Sequence, residues 1–305
     1  MPLEADQVVD RRRLKRRLSI WRAAAVIAVA ALAVVVVNRT TKGTLGFVDR
    51  PHVERLTVEG VISEDPDRSA ALKEVEKNDR VKALVVAINS PGGTVVGSEE
   101  LFRDLRKVAE KKPVVAVMGT LAASGGYMTA LAAEHIVARE GTLTGSIGVI
   151  MQTADVTGLL KKLGIEPEAI KSAPLKAVPS PLEPLTDEGR EATKAVVLDM
   201  YDMFVTMVAD RRGLDADVAR KLGDGRVYTG RQAVAARLVD EIGGEDEARA
   251  WLESAKGVPA TLPISDVKIE RDNKDLFGLV GGRIGKALFS ERLTLDGLLV
   301  LWHPQ

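Results

Sequence analysis

The sequence predicts an α/β protein: a layered βαβ fold with a mainly parallel sheet, preceded by one N-terminal transmembrane helix. Three observations predict it. Past residue 52, short apolar runs of strand length alternate with helical patterns, as in βαβ units covered on both faces. A chain of 305 residues, 46% hydrophobic and 28% charged, can bury one large core or two small ones, which excludes disorder and polytopic membrane architecture. An uninterrupted nonpolar run also follows a basic cluster near the N-terminus.

Residues 1–22 carry seven basic side chains against three acids, and residues 23–37 contain no polar side chain. With Ile20, Trp21 and a snorkelling Arg22, the run approaches the ~20 residues that a spanning helix needs. The positive-inside rule then assigns residues 1–19 to a cytoplasmic basic tail and 20–38 to a single-pass anchor in the inner or plasma membrane. Everything beyond lies on the extracytoplasmic, periplasmic side. The segment VVVVNR at 34–39 lacks a small-x-small cleavage pattern, so an uncleaved anchor is expected rather than a signal peptide. Past residue 22 the chain holds 36 basic and 40 acidic residues, with no pull toward nucleic acid.

A polar linker is expected over 39–52, a globular body over 53–271 and an apolar C-terminal extension over 272–305. That extension could cover a subunit interface or rest on the membrane. Within the body, strands are expected at 56–62, 81–88, 114–118 and 136–138. Helices are expected at 69–77, 98–110, about 124–133, 187–211, 215–222, 230–236 and 245–255. The Pro-rich stretch 174–184 is the main irregular segment, and long loops inside compact domains are often functional.

Cysteine is absent, which removes disulfides, thiolate metal sites and Cys nucleophiles together; no metal or cofactor is expected. Two glycine-rich junctions carry the candidate chemistry. Asn89-Ser90-Pro91-Gly92-Gly93 follows a buried strand and precedes a helix, so its amides could face an oxyanion or a peptide, or form an ordinary turn. Ala122-Ala123-Ser124-Gly125-Gly126 has the same placement. Ser124 there could be an exposed nucleophile with the Gly125 amide beside it, or simply the N-cap of its helix. Of the three histidines, His135 is poorly placed to reach Ser124, His52 falls in the linker and His303 in the tail. Lysine is the other available base, provided burial keeps the amine neutral, and Lys176 stands in an apolar setting.

Five segments occur in one order: INSPGGTVVG at 88–97, AASGGYM at 122–128, GTLTGSIGVIM at 141–151, KSAPLKAVP at 171–179 and DGRVYTG at 224–230. Together they resemble the signal peptide peptidase A family, short form: membrane-anchored serine/lysine proteases with a ClpP/crotonase-like fold. The resemblance spans about residues 54–256 and makes 53–271 the protease domain. It implies Ser124 as nucleophile, Lys176 as general base, Ser146 as the hydroxyl orienting the lysine, and the Gly93 and Gly125 amides as oxyanion hole. It further implies degradation of remnant signal peptides and other apolar peptides at the membrane surface. The expected assembly is a homo-oligomer, an octamer, in which neighbouring subunits share each site. Three rivals predict otherwise. A crotonase-type acyl-CoA enzyme needs catalytic carboxylates and a cytoplasmic location. A protease acting on membrane-protein partners differs only in substrate. A non-catalytic anchored scaffold would tolerate loss of Ser124 and Lys176.

Overall fold

The computed structural model describes residues 21–22, 24–29 and 50–271, together with the backbone of 298–301. The chain divides into two compact units, Met1–Arg50 and Pro51–Gln305. In the first, residues 21–22 and 24–29 are helical. Among the described residues no helix is long and apolar enough to cross a membrane. The anchor expected over 20–38 lies mostly outside them.

The second unit is built on β1 (His52–Ile62), β2 (Val81–Thr94), β3 (Val114–Ala123), β4 (His135–Ala138) and β8 (Glu241–Ile242), each parallel to the next. Strands β2 and β3 supply Leu84, Val85, Val86, Val114, Val115 and Ala116, all essentially without exposure. Apolar residues on both strand faces are what a sheet covered on both sides requires. One cover is formed by α1 (Pro66–Lys77), α2 (Val95–Ala109), α3 (Gly125–Ala130) and the 26-residue α5 (Asp187–Arg212), whose Leu72, Leu101, Leu105, Tyr127 and Phe204 join one core cluster. The other comes from α8 (Glu245–Lys256), where Ala248 and Leu252 pack against Val85, Val115 and Val137. Smaller helices are α4 (Thr157–Lys162), α6 (Ala216–Leu222) and α7 (Gly230–Ala235).

Four short strands complete the edges: β5 (Leu143–Gly145), β6 (Ile150–Met151), β7 (Val227–Thr229) and β9 (Ile264–Asp266). Strand β5 runs parallel to the end of β3 and antiparallel to β7, while β9 pairs with β1.

Four expectations need correction. The SPGG segment is no strand-to-helix turn, because β2 continues through Thr94. Its partner β1 is long enough to pair Val61 with Gly92 and Ile62 with Gly93. His52 does not belong to a linker; it opens β1 and is buried. The helix after Ser124 ends at Ala130 rather than near 133, since the chain must turn there to enter β4. The C-terminal stretch is not merely a cover. Residues Leu298–Leu301 form β10, antiparallel both to β2 across Gly92–Thr94 and to β6.

Candidate active site

Strand β3 ends at Ala123 and the helix α3 begins at Gly125, leaving Ser124 alone to make the corner. Its backbone sits at φ 55° and ψ −117°, a conformation that residues with a Cβ rarely adopt. Such strain costs on the order of 1–3 kcal/mol and persists only where the surroundings enforce it. They do so here. The Ser124 N–H donates to the Gly145 carbonyl at 2.8 Å, and its own carbonyl accepts from Met128 N–H at 2.9 Å. Ser124 is 1% exposed, and its side chain makes no capping hydrogen bond to the helix. Ser124 thus holds the N-cap position without capping through its side chain, and the hydroxyl is left to other work.

The helix behind it is fixed along its length. Every residue of α3 is buried. Tyr127 donates its hydroxyl to the Leu238 carbonyl at 2.9 Å, and burial pushes its phenol pKa upward. Past the helix end, Arg211 donates to the carbonyls of Leu131 (2.8 Å) and Ala133 (3.0 Å), and Arg106 to that of Ala132 (3.2 Å). These guanidinium groups satisfy carbonyls that a terminating helix leaves without partners.

Ser146 stands beside Ser124 by strand register. Ala123 pairs with Gly145, so each serine follows a paired position on adjacent parallel strands. Ser146 also has a left-handed backbone, φ 48°, and donates its N–H to the Arg226 carbonyl at 2.8 Å. Thr144 locks the two strands, its buried hydroxyl donating to the Ala122 carbonyl at 2.6 Å. Arg226 is held in turn by Asp224, whose carboxylate accepts from the Arg226 side chain and its backbone N–H. Those bonds keep the Asp224 pKa below the ordinary carboxylate value.

The two glycines adjoin this corner. A Cβ on Gly125 would lie 3.1 Å from the Gly93 amide nitrogen. A Cβ on Gly93 would overlap the Ile62 carbonyl outright. Glycine is thus required at 93 by close packing of β1. Ser90 shapes the approach, donating to the Gly60 carbonyl at 2.6 Å and accepting from Gly92 N–H at 3.1 Å.

Lys176 is differently placed. It lies on the long connection between α4 and α5, exposed, with its N–H donating to the Ala173 carbonyl at 3.1 Å. Among the described residues its ammonium has no hydrogen bond or ion pair to Ser124 or Ser146. An open hollow on this connection, lined by Pro167, Lys171, Pro174 and Glu183, does not include Ser124. Helix α4 leaves Leu159 exposed, and the same connection leaves Leu163, Ile165, Ile170, Leu175 and Leu182 exposed. One copy of the chain brings Ser124, Ser146, Gly93 and Gly125 to one corner, and among the described residues no hydrogen bond or ion pair joins Lys176 to it. His135 is accounted for elsewhere: it hydrogen-bonds Glu241 at 3.1 Å and stacks on Trp251 with ring centroids 4.7 Å apart. Among the described residues, no three His, Asp or Glu side chains gather as a metal site.

Residues 106–259 match Peptidase family S49, half of the chain. The chain belongs to that family. Among S49-related sequences, a protease-named relative from Methanocaldococcus jannaschii is 40% identical over 71% of this chain and 70% of its own length. A relative from Enterococcus faecium, named a signal peptide peptidase, is 31% identical over 82% of this chain and 76% of its own. A ClpP1 mutant from Listeria monocytogenes overlays with a TM-score of 0.42 at 18% identity, over 62% of this chain and 91% of that one. That overlap is too loose to decide the fold, which the strand order itself establishes. The S49 chain is a signal peptide peptidase A-like serine peptidase.

Three features of this S49 site were not legible in the sequence. Thr144 falls where no strand is expected from the sequence, and the pairing of β5 with β3 hangs on three residues. The Arg226 carbonyl acts through its backbone, which no side-chain pattern records. Ser98 looked like the first residue of a helix, yet its hydroxyl lies against Gly125.

Proposed function

We propose that this chain is a membrane-anchored endopeptidase that uses a Ser124–Lys176 dyad on remnant signal peptides and other apolar peptides at the extracytoplasmic membrane surface. The observation that carries the reading is the corner at Ser124: a buried serine in enforced backbone strain, its hydroxyl free of the helix, with the Gly93 and Gly125 backbones beside it.

In this mechanism the Ser124 Oγ attacks the peptide carbonyl carbon while the neutral Lys176 amine takes its proton. The carbonyl oxygen becomes an oxyanion held by the Gly93 and Gly125 amides. The new ammonium protonates the leaving amine, and water then releases the acyl group by the same route. Ser146 accepts or donates to the lysine and orients it, from a position fixed by Arg226. A lysine base works only as the free amine, which desolvation favours. We read Lys176 as covered by a second copy in a homo-oligomer, an octamer, that closes each site; the exposed apolar residues on the same connection support that reading.

Past Ser90 the side of β2 opposite β1 is taken by β10, an antiparallel strand of this chain, and that pairing supports it as a side that accepts an extended strand. The apolar run at 20–38 supports an anchor that keeps the site at the membrane, where apolar peptides are released. ClpP/crotonase-like layering agrees with the parallel core and the site at its strand ends.

The test is hydrolysis of a fluorogenic Ala/Leu-rich peptide by the full chain in detergent. Wild-type turnover that rises from neutral toward alkaline pH, and is lost in both Ser124→Ala and Lys176→Ala, is expected. Equal turnover in all three would reject the dyad.

A further inference from the structure

Strand β2 slips against both of its neighbours at Ser90. On the β1 side, Asn89 pairs with Glu59 and Gly92 with Val61, so two steps of β1 match three of β2. On the β3 side, Ile88 pairs with Met118 and Ser90 with Ala122, so two steps of β2 match four of β3. A slip of this kind re-aims the residues that follow it. Here those residues are Gly92 and Gly93. Ser90 itself is 0% exposed, so its hydroxyl acts on the protein alone.

That hydroxyl is taken up by the glycines on either side of the slip. The Ser90 Oγ donates to the Gly60 carbonyl at 2.6 Å, accepts from the Gly92 N–H at 3.1 Å and lies 3.4 Å from the Gly92 carbonyl oxygen. The start of α3 closes the other side, since a Cβ on Gly126 would come within 2.8 Å of the Ser90 carbonyl oxygen. Gly92 sits at φ +111°, and neither Gly92 nor Gly93 has a Cβ of its own to resist a turn of the peptide between them. In a trans peptide the carbonyl and the next N–H point in opposite directions. Holding the Gly92 carbonyl beside Ser90 therefore holds the Gly93 N–H facing away from it.

We infer that Ser90 is a positioning residue of the oxyanion hole, fixing the Gly92–Gly93 peptide and with it the direction of the Gly93 amide; the inference rests on the acyl-transfer reading given above. Without the hydroxyl, the buried Gly92 N–H loses its acceptor, and the glycine pair can turn to find another. Such a turn takes the Gly93 N–H out of line. An oxyanion donor is effective only while its direction is set in advance.

The test compares wild type, Ser90→Ala, Ser90→Cys and Ser124→Ala as full-length protein in detergent. Labelling by a fluorophosphonate, taken to completion, counts competent sites, with Ser124→Ala as the blank. Read per labelled site are kcat, KM and affinity for a peptide aldehyde, whose adduct with Ser124 places an oxygen in the hole. Affinity for the matching peptide alcohol, which forms no adduct, is read beside them. For Ser90→Ala, kcat is expected to fall on the order of 10²-fold, as when one oxyanion donor is lost. Aldehyde affinity should weaken in parallel, with KM and alcohol affinity little changed. Ser90→Cys, a similar shape with a weaker donor and acceptor, should fall between.

Fewer labelled sites with unchanged kcat and aldehyde affinity per site is the pattern of a serine that serves folding alone, and it would overturn the inference. An alcohol affinity that weakens as much as the aldehyde affinity would do the same, because the fault would then lie in the peptide groove. If Ser90→Ala does not fold, wild-type kcat and aldehyde affinity in Ser90→Cys would overturn it. No labelling of wild-type Ser124 would overturn the acyl-transfer reading and this inference together, whereas normal labelling with an unaffected Ser90→Ala would overturn this inference alone.

Discussion

The corner at Ser124 and the loop at Lys176 are built on opposite principles. The corner is buried, strained and held from every side: by Gly145 and Met128 through backbone bonds, by Thr144 across the strands, and by Arg211 and Arg106 at the helix end. The loop is exposed, and the Lys176 ammonium has no such network among the described residues. Strain can be stored only where packing over-determines the backbone. Under the proposed dyad, the nucleophile's half of the site would be finished within one chain and the base's half left to assembly. The connection that carries Lys176 also exposes Leu163, Ile165, Ile170, Leu175 and Leu182.

The sharpest way to break the contrast is to remove one functional group from each side. Ser124→Ala and Lys176→Ala are both expected to lower peptide turnover by on the order of 10⁴-fold, as paired catalytic groups do. Their folding signatures should also agree: Lys176→Ala, at an exposed site, should shift stability by no more than about 0.5 kcal/mol in denaturant titration. A Lys176→Ala chain that unfolded early would mean that the loop is structural.

The corner should be brittle where the loop is tolerant. Gly93→Ala places a methyl into the Ile62 carbonyl and is expected to cost about 1–3 kcal/mol and most of the activity. Gly164, on the loop side, has open space around a Cβ, although its φ of +72° still disfavours any other residue. Thr144→Val removes the donor to the buried Ala122 carbonyl, and chemical denaturation should show a loss of about 1–2 kcal/mol.

The smallest expected effect concerns Asp224, which supports Ser146 through Arg226. Its folded pKa is lowered, first by the Arg226 side chain and then by the Arg226 N–H. A lowered carboxylate pKa adds stability that is present above the unfolded value of about 3.9 and disappears as pH falls through the folded value. Asp224→Asn should therefore weaken the protein slightly at neutral pH, with the two melting curves converging in acid. The group is exposed, so solvent screening keeps the difference small.

The alternation of strands and helices in the body was readable because buried parallel strands such as β2 and β3 are apolar on both faces, and because Thr186 and Gly213 mark the ends of α5. The two-residue and three-residue strands were not readable, since β5, β6, β7, β8 and β9 are fixed by pairing with distant partners rather than by local preference. The same limit applies to the site. Ser124 and its glycines stand out as a motif, but the positive φ at Ser124 follows from the Gly145 carbonyl more than twenty positions away. Reading SPGG as a turn failed for a related reason: nothing within five residues shows that β1 extends far enough to pair with Gly92 and Gly93.

The most direct measurement of this division is complementation. Ser124→Ala and Lys176→Ala chains, each inactive alone, would be unfolded together, refolded as a mixed assembly and given the fluorogenic peptide. If neighbouring copies supply the serine and the lysine, random mixing restores about one quarter of wild-type turnover, because both halves of a site are intact in that share of pairings. A mixed assembly of normal size that stays inactive would contradict the account, placing both groups of each site in a single chain.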